Sequence, residues 1–204
     1  MAATTTTATT TTAMTSPTKP ASDAGTMTII TRVPIPSSVP PASVLASLQT
    51  YEDLITPNPY LDRFEPRTLS DAEAADPFFF PEGWNMKGYT VYDCVPILPG
   101  LGWTKSFAMP CVFQSFARGV KCCAHAQVGV TVRSSYEVRR RGEVEGGGGD
   151  APDRGPGDGD YELVDISQVT CSVFVRPFVR AKLAAAHHAL LEKLVSKVGA
   201  GAAA

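Results

Sequence analysis

The chain has 204 residues, 44% of them apolar, and a formal net charge of −2. That is material for one domain with a real core plus tails, and the near balance of charge, without a basic stripe, argues against a nucleic-acid surface. No apolar run approaches the roughly 20 residues that span a bilayer, and five cysteines, an odd count with no secretory signal or transit peptide ahead of them, fit reduced thiols in a cytoplasmic protein.

In chain order, residues 1–25 are threonine-rich with almost nothing to bury, the composition of a disordered tail. Order is expected over 26–198, as a single domain. Met27, Ile29 and their β-branched neighbours predict a strand that Pro34 and Pro36 end. Ser37 or Ser38 is then placed to cap a helix whose first turn takes Pro40 and Pro41, with Val44, Leu45, Leu48, Tyr51, Leu54 and Ile55 at helical spacing. Tyr60 or Leu61, with Phe64, marks a short extended segment. The stretch from Thr68 to Gly83 reads as a loop that Phe78, Phe79 and Phe80 pin to the body.

From Trp84 to Arg140 the spacing is that of strands. Tyr89, Val91, Val95 and Ile97 alternate up to the turn "LPGLG". Trp103, Phe107, Met109, Cys111 and Phe113 share the next face, then Val120, Cys122, Ala124 and Ala126, then Val128, Val130, Val132, Tyr136 and Val138. Tight connections between such strands predict an antiparallel meander. Arg139, Arg140 and Arg141 form the densest basic cluster and read as a solvated strand end. Residues 142–160, rich in Gly and Asp, read as a flexible hairpin insertion; lacking the lysine and following helix of a phosphate loop, its glycine run is not one. "YELVDISQVTCSVFV" resumes the sheet. The last element is an amphipathic helix with Val179, Leu183, Ala186, Leu190, Leu194 and Val198 along one stripe, Gly199 at its C-cap, and a disordered tail over 199–204.

Chemistry-bearing residues are few. "VKCCAHAQ" sets Cys122 and Cys123 beside His125, but strand alternation turns Cys122 inward and puts Cys123 and His125 on an outer, polar face with Lys121 and Gln127. The segment therefore presents at most two ligands to one point, too few for a structural zinc site, and Cys123 is expected to react with thiol reagents while Cys122 resists. Asp93 interrupts one apolar face and Lys105 its neighbour, which predicts a buried Asp93–Lys105 pair, because an unpartnered buried charge costs several kcal/mol. Asp165 is a weaker case of the same kind. His187 borders the apolar stripe of the final helix, where it can present a polar group to whatever lies beneath.

The order of strand, helix, antiparallel strands and long final helix resembles the helix-grip layout of the START and polyketide-cyclase (SRPBCC) superfamily. The segments "TIITRVPIPSSVPPASVLASLQ", "ILPGLGW", "SSYEVRR" and "CSVFVRPFVRAKLAAAHHALLEKLV" are similar, more narrowly, to a fungal family of uncharacterised domain proteins. The resemblance covers roughly residues 26–198 and brings no catalytic residues with it. It implies an α+β fold in which a curved antiparallel sheet wraps the C-terminal helix around an apolar cavity, and a hydrophobic small molecule or lipid as the partner. Tyr89, Asp93, Trp103, Phe107, Met109, Phe113, Tyr136 and His187 are the candidate cavity residues, with no cofactor and no metal. Two other functions are carried: a cyclase or hydrolase using Asp93, Tyr92 or His187 as acid–base groups, and an interaction scaffold with a filled core.

Overall fold

Residues 24–81, 85–98, 103–142 and 161–202 are described by a computed structural model. The expectations for the tail at 1–23, the turn at 99–102 and the insertion at 143–160 lie outside them, as do the side chains of Val95, Ile97, Trp103 and Val128. The strands are β1 (Ala24–Pro34), β2 (Leu61–Arg67), β3 (Met86–Leu98), β4 (Trp103–Phe116), β5 (Gly119–Ala126), β6 (Val130–Arg140) and β7 (Tyr161–Ser172). All pair antiparallel in one seven-stranded sheet of order β1-β7-β6-β5-β4-β3-β2. The run from β2 to β7 is a meander, and β1 closes the order by lying against β7.

The helical segment splits where one helix was expected. α1 (Pro41–Gln49) begins on Pro40 with no side-chain cap, so neither Ser37 nor Ser38 serves. Pro41 fits the first helical position because its missing N–H has no partner to lose. Thr50, extended at φ −87° and ψ 91°, separates α1 from α2 (Tyr51–Ile55). Both still bury one face, through Val44, Leu48, Tyr51, Leu54 and Ile55.

The expected loop after β2 also contains order. α3 (Asp71–Ala74) is a single turn closed by a capping box: the Ser70 hydroxyl accepts from the Glu73 N–H, and the Glu73 carboxylate accepts from the Ser70 N–H. The sequence signal, Ser-x-x-Glu, is present at Ser70 to Glu73.

α4 (Arg176–Ala202) is longer than expected and passes through Gly199 instead of stopping there. At 27 residues it is about 40 Å long, enough to cross the sheet. Its two halves differ. Leu190, Leu191, Leu194 and Val195 are buried in the main core with α1, α2 and the inner sheet face. Val179, Leu183 and Ala184, toward the N-terminal end, are only partly covered.

The outer face of the sheet overturns one expectation. Alternation holds, with Cys122 in the main core and Cys123 on the opposite face. Cys123 is nevertheless 2% exposed, because Phe79 and Val112 bury it beneath the segment that carries Phe78 and Phe79. Lys121 Nζ donates to the Phe78 carbonyl at 2.8 Å, Arg133 pairs with Asp76 at 3.0 Å, and the Gln114 amide bonds both the N–H and the carbonyl of Phe80. Lys121, read as solvent-facing, thus helps to hold a covering strap, while His125 and Gln127 are exposed and Gln127 lines the cavity instead of the outer face. Arg139 is likewise buried and bonded to Glu137 at 2.8 Å, so the basic cluster is not wholly a solvated strand end.

Candidate functional site

On the inner face, side-chain size decides what is filled. β5 contributes Cys122, Ala124 and Ala126, all small, and the part of α4 above them carries Ala186. Large inward residues stand to either side, Phe107, Met109 and Phe113 on β4 and Tyr136 on β6. Small groups facing small groups leave a gap that neighbours cannot close without distorting the sheet. The gap is a cavity of about 380 Å³ between the sheet, α2 and the N-terminal part of α4. Its lining is aliphatic, aromatic and thiol except for Asn58, Tyr60, Asp93, Gln127, Ser134, Tyr136, Lys182 and His187. Gln127 and Phe178, both exposed, mark an end that meets solvent.

Of the eight candidate residues, Asp93, Phe107, Met109, Phe113, Tyr136 and His187 line this cavity. Tyr89 does not. It is buried at one end against Phe64 and Phe113, and its hydroxyl donates to Glu52. That bond draws the Glu52 carboxyl below its usual range, while burial first and the bond second push the Tyr89 phenol up. The Trp103 side chain lies outside the described residues.

The predicted Asp93–Lys105 pair is absent among the described residues. Cross-strand register sets Asp93 opposite Phe107 and Lys105 opposite Val95; Lys105 is exposed and its Nζ lies 5.4 Å from the Phe107 ring centroid. Asp93 instead accepts a hydrogen bond from Asn58 Nδ2 at 2.8 Å. Burial raises its pKa, and the Asn58 bond opposes that only in part. Nor can Tyr92 join Asp93 and His187 in acid–base chemistry. It faces the other side of the sheet, bonded to Glu65 with the Arg63 guanidinium 3.6 Å over its ring.

A second polar centre was only partly visible in the sequence. Asp165 on β7 is 0% exposed and takes His187 Nδ1 at 2.6 Å and the Ser167 hydroxyl at 3.0 Å to each carboxylate oxygen. Ser167 also meets Ser134 at 2.7 Å, and Ser134 draws the Tyr136 phenol pKa down against the burial that raises it. Cross-strand register makes the cluster, since Ser134 stands opposite Ser167 and Tyr136 opposite Asp165. Burial, then the charge of Asp165, holds the Tyr136 phenol well above its ordinary pKa, so it keeps its proton. Cys122 is pushed the same way, by its bond to Cys111 and then by burial. Ser134 and Ser167 were missed. Their signal was two polar residues in step with Asp165 and Tyr136 on faces that are otherwise apolar.

A seven-stranded antiparallel sheet carrying a long C-terminal helix is an α+β fold of helix-grip type. Residues 24–200 match the family described as a domain of unknown function, DUF7053, and the chain belongs to it. No curated protein matches the sequence. Among solved structures, the di-domain ARO/CYC StfQ from the steffimycin biosynthetic pathway is similar at a TM-score of 0.55 and 9% identity, over 87% of this chain and 52% of StfQ. The solution structure of the KanY protein is similar at 0.51 and 13%, over 85% of this chain and 98% of KanY. The di-domain ARO/CYC BexL from the BE-7585A biosynthetic pathway is similar at 0.50 and 11%, over 84% and 49%. This chain thus spans about half the length of either di-domain protein, and likeness at such identities concerns the fold alone.

Proposed function

We propose that this protein binds a hydrophobic small molecule or lipid in the cavity between sheet and α4. The observation that carries the reading is the hollow itself, about 380 Å³ with a mostly apolar lining and a few polar groups, which is the size and character of ligand sites in general. A filled core, as an interaction scaffold would have, leaves no such space. The likeness to ARO/CYC proteins contributes the scaffold and no ligand identity. Native mass spectrometry of protein purified from its own source, before and after denaturation, tests the reading. A co-purifying apolar mass released on denaturation is expected. A clean apo mass, with no melting shift across a panel of fatty acids, sterols and polycyclic aromatics, overturns it.

A further inference from the structure

The polar centre at Asp165 has a direction. A carboxylate only accepts, and both partners of Asp165 can donate to it: Ser167 through its hydroxyl and His187 through Nδ1, with Ser134 able to donate to Ser167 in turn. With the proton on Nδ1, a neutral imidazole carries its lone pair on Nε2. That nitrogen has no hydrogen-bond partner among the described residues. Nor is it sealed in protein, since Arg176 Nε is the one described side-chain nitrogen or oxygen both fully buried and unbonded. The ring itself lines the cavity. The network therefore uses its own donors internally, and a neutral ring keeps one unused acceptor on a side chain that lines the cavity.

We propose that His187, positioned by Asp165, is the polar anchor of the cavity and takes the hydroxyl of an otherwise apolar ligand of phenol or enol type, with Nε2 as the acceptor. This rests on the reading that the cavity holds a ligand. It adds the ligand's chemical class and the point where its hydroxyl sits. A carbonyl or ether in that place meets a lone pair with a lone pair, which a desolvated site penalises.

Three probes of one shape separate the outcomes: 2-naphthol, a donor; 2-methoxynaphthalene, its methyl ether; and 2-acetylnaphthalene, an acceptor. Titration calorimetry on the full chain is expected to show 2-naphthol binding about tenfold tighter than either of the others, the worth of one buried hydrogen bond. Asp165→Asn removes the carboxylate that holds the proton on Nδ1, and its amide can accept from or donate to that nitrogen, so the preference for 2-naphthol is expected to weaken. His187→Phe keeps a ring and erases the preference while still binding the methyl ether. Equal binding of the three probes by the wild type, or a wild-type preference for 2-acetylnaphthalene, overturns the anchor while leaving the cavity reading intact. Binding of none of them contradicts the cavity reading, and the anchor with it. The wild-type comparison decides the matter even if a variant fails to fold.

Discussion

Asn58 Nδ2 donates to Asp93 Oδ1 at 2.8 Å, joining the loop after α2 to the centre of β3 at the cavity wall. The bond is neutral-to-acid rather than an ion pair, and burial leaves the Asp93 pKa raised above its ordinary 3.8. The charged form is therefore disfavoured in the fold. Stability is fully present below pH 3.8 and is lost as pH rises through the higher folded value. Asp93→Asn removes that loss while keeping an acceptor for Asn58. The variant should melt above the wild type at neutral pH, and the gap should close below pH 3.8. Melting curves across that range check it; a variant less stable than the wild type at neutral pH would contradict it.

Thiol accessibility follows from the strap over the outer face. Cys111, Cys122, Cys123 and Cys171 are buried and Cys94 is partly exposed. Burial pushes Cys123 up to about 11, so little of it is the reactive thiolate at neutral pH. Iodoacetamide labelling mapped by mass spectrometry should modify Cys94 first and leave both Cys122 and Cys123 protected. Phe79→Ala should expose Cys123 and not Cys122. Rapid labelling of Cys123 in the wild type would mean that the strap does not cover it.

Arg67 donates to both Glu73 carboxylate oxygens, and the same carboxylate caps α3. Arg67 holds the Glu73 carboxyl down from 4.5 to about 2. The pair therefore contributes stability above pH 4.5 and loses it as pH falls toward 2. Both side chains are about one-fifth exposed, so solvent screening trims the gain. Glu73→Gln should cost about 1 kcal/mol at neutral pH, as cap and partial ion pair, and nothing near pH 2. Urea unfolding at the two pH values measures it.

The two halves of α4 should differ in mutational cost. Leu194 is 0% exposed in the main core, and Leu194→Ala should cost about 3 kcal/mol through lost burial and a new void. Leu183 already faces the hollow and is half-buried; Leu183→Ala should cost about 1 kcal/mol. Equal, large losses at both positions would indicate a filled core.

Much of this arrangement was legible in the sequence. Period-two faces located β3, β4, β5 and β6, and the stripe on the last helix located α4, because burial on one side imposes those periods. The edge position of β1 against β7 was not, since pairing between segments far apart in the chain has no local signal. Asp93 was visible as an interruption, but its partner was not, because Asn58 lies in an irregular segment and the Asp93–Lys105 pairing assumed that two interruptions must meet. Cys123 was assigned its correct face and the wrong environment: alternation says which way a side chain points, not what a distant loop lays over it. Periodicity is blind to the hollow, but the small inward residues Cys122, Ala124 and Ala126 facing the alanine-rich turns of α4 record it as side-chain volume.

The central claim, that space for an apolar ligand lies beneath α4, is tested most directly by titrating the fluorophore N-phenyl-1-naphthylamine into the wild type and into Ala124→Phe, which fills the cavity from its floor. Saturable one-to-one binding by the wild type is expected. It should be lost in Ala124→Phe, whose melting temperature should fall little because the added ring occupies existing space. No saturable binding by the wild type, or the same affinity in both proteins, would contradict the account.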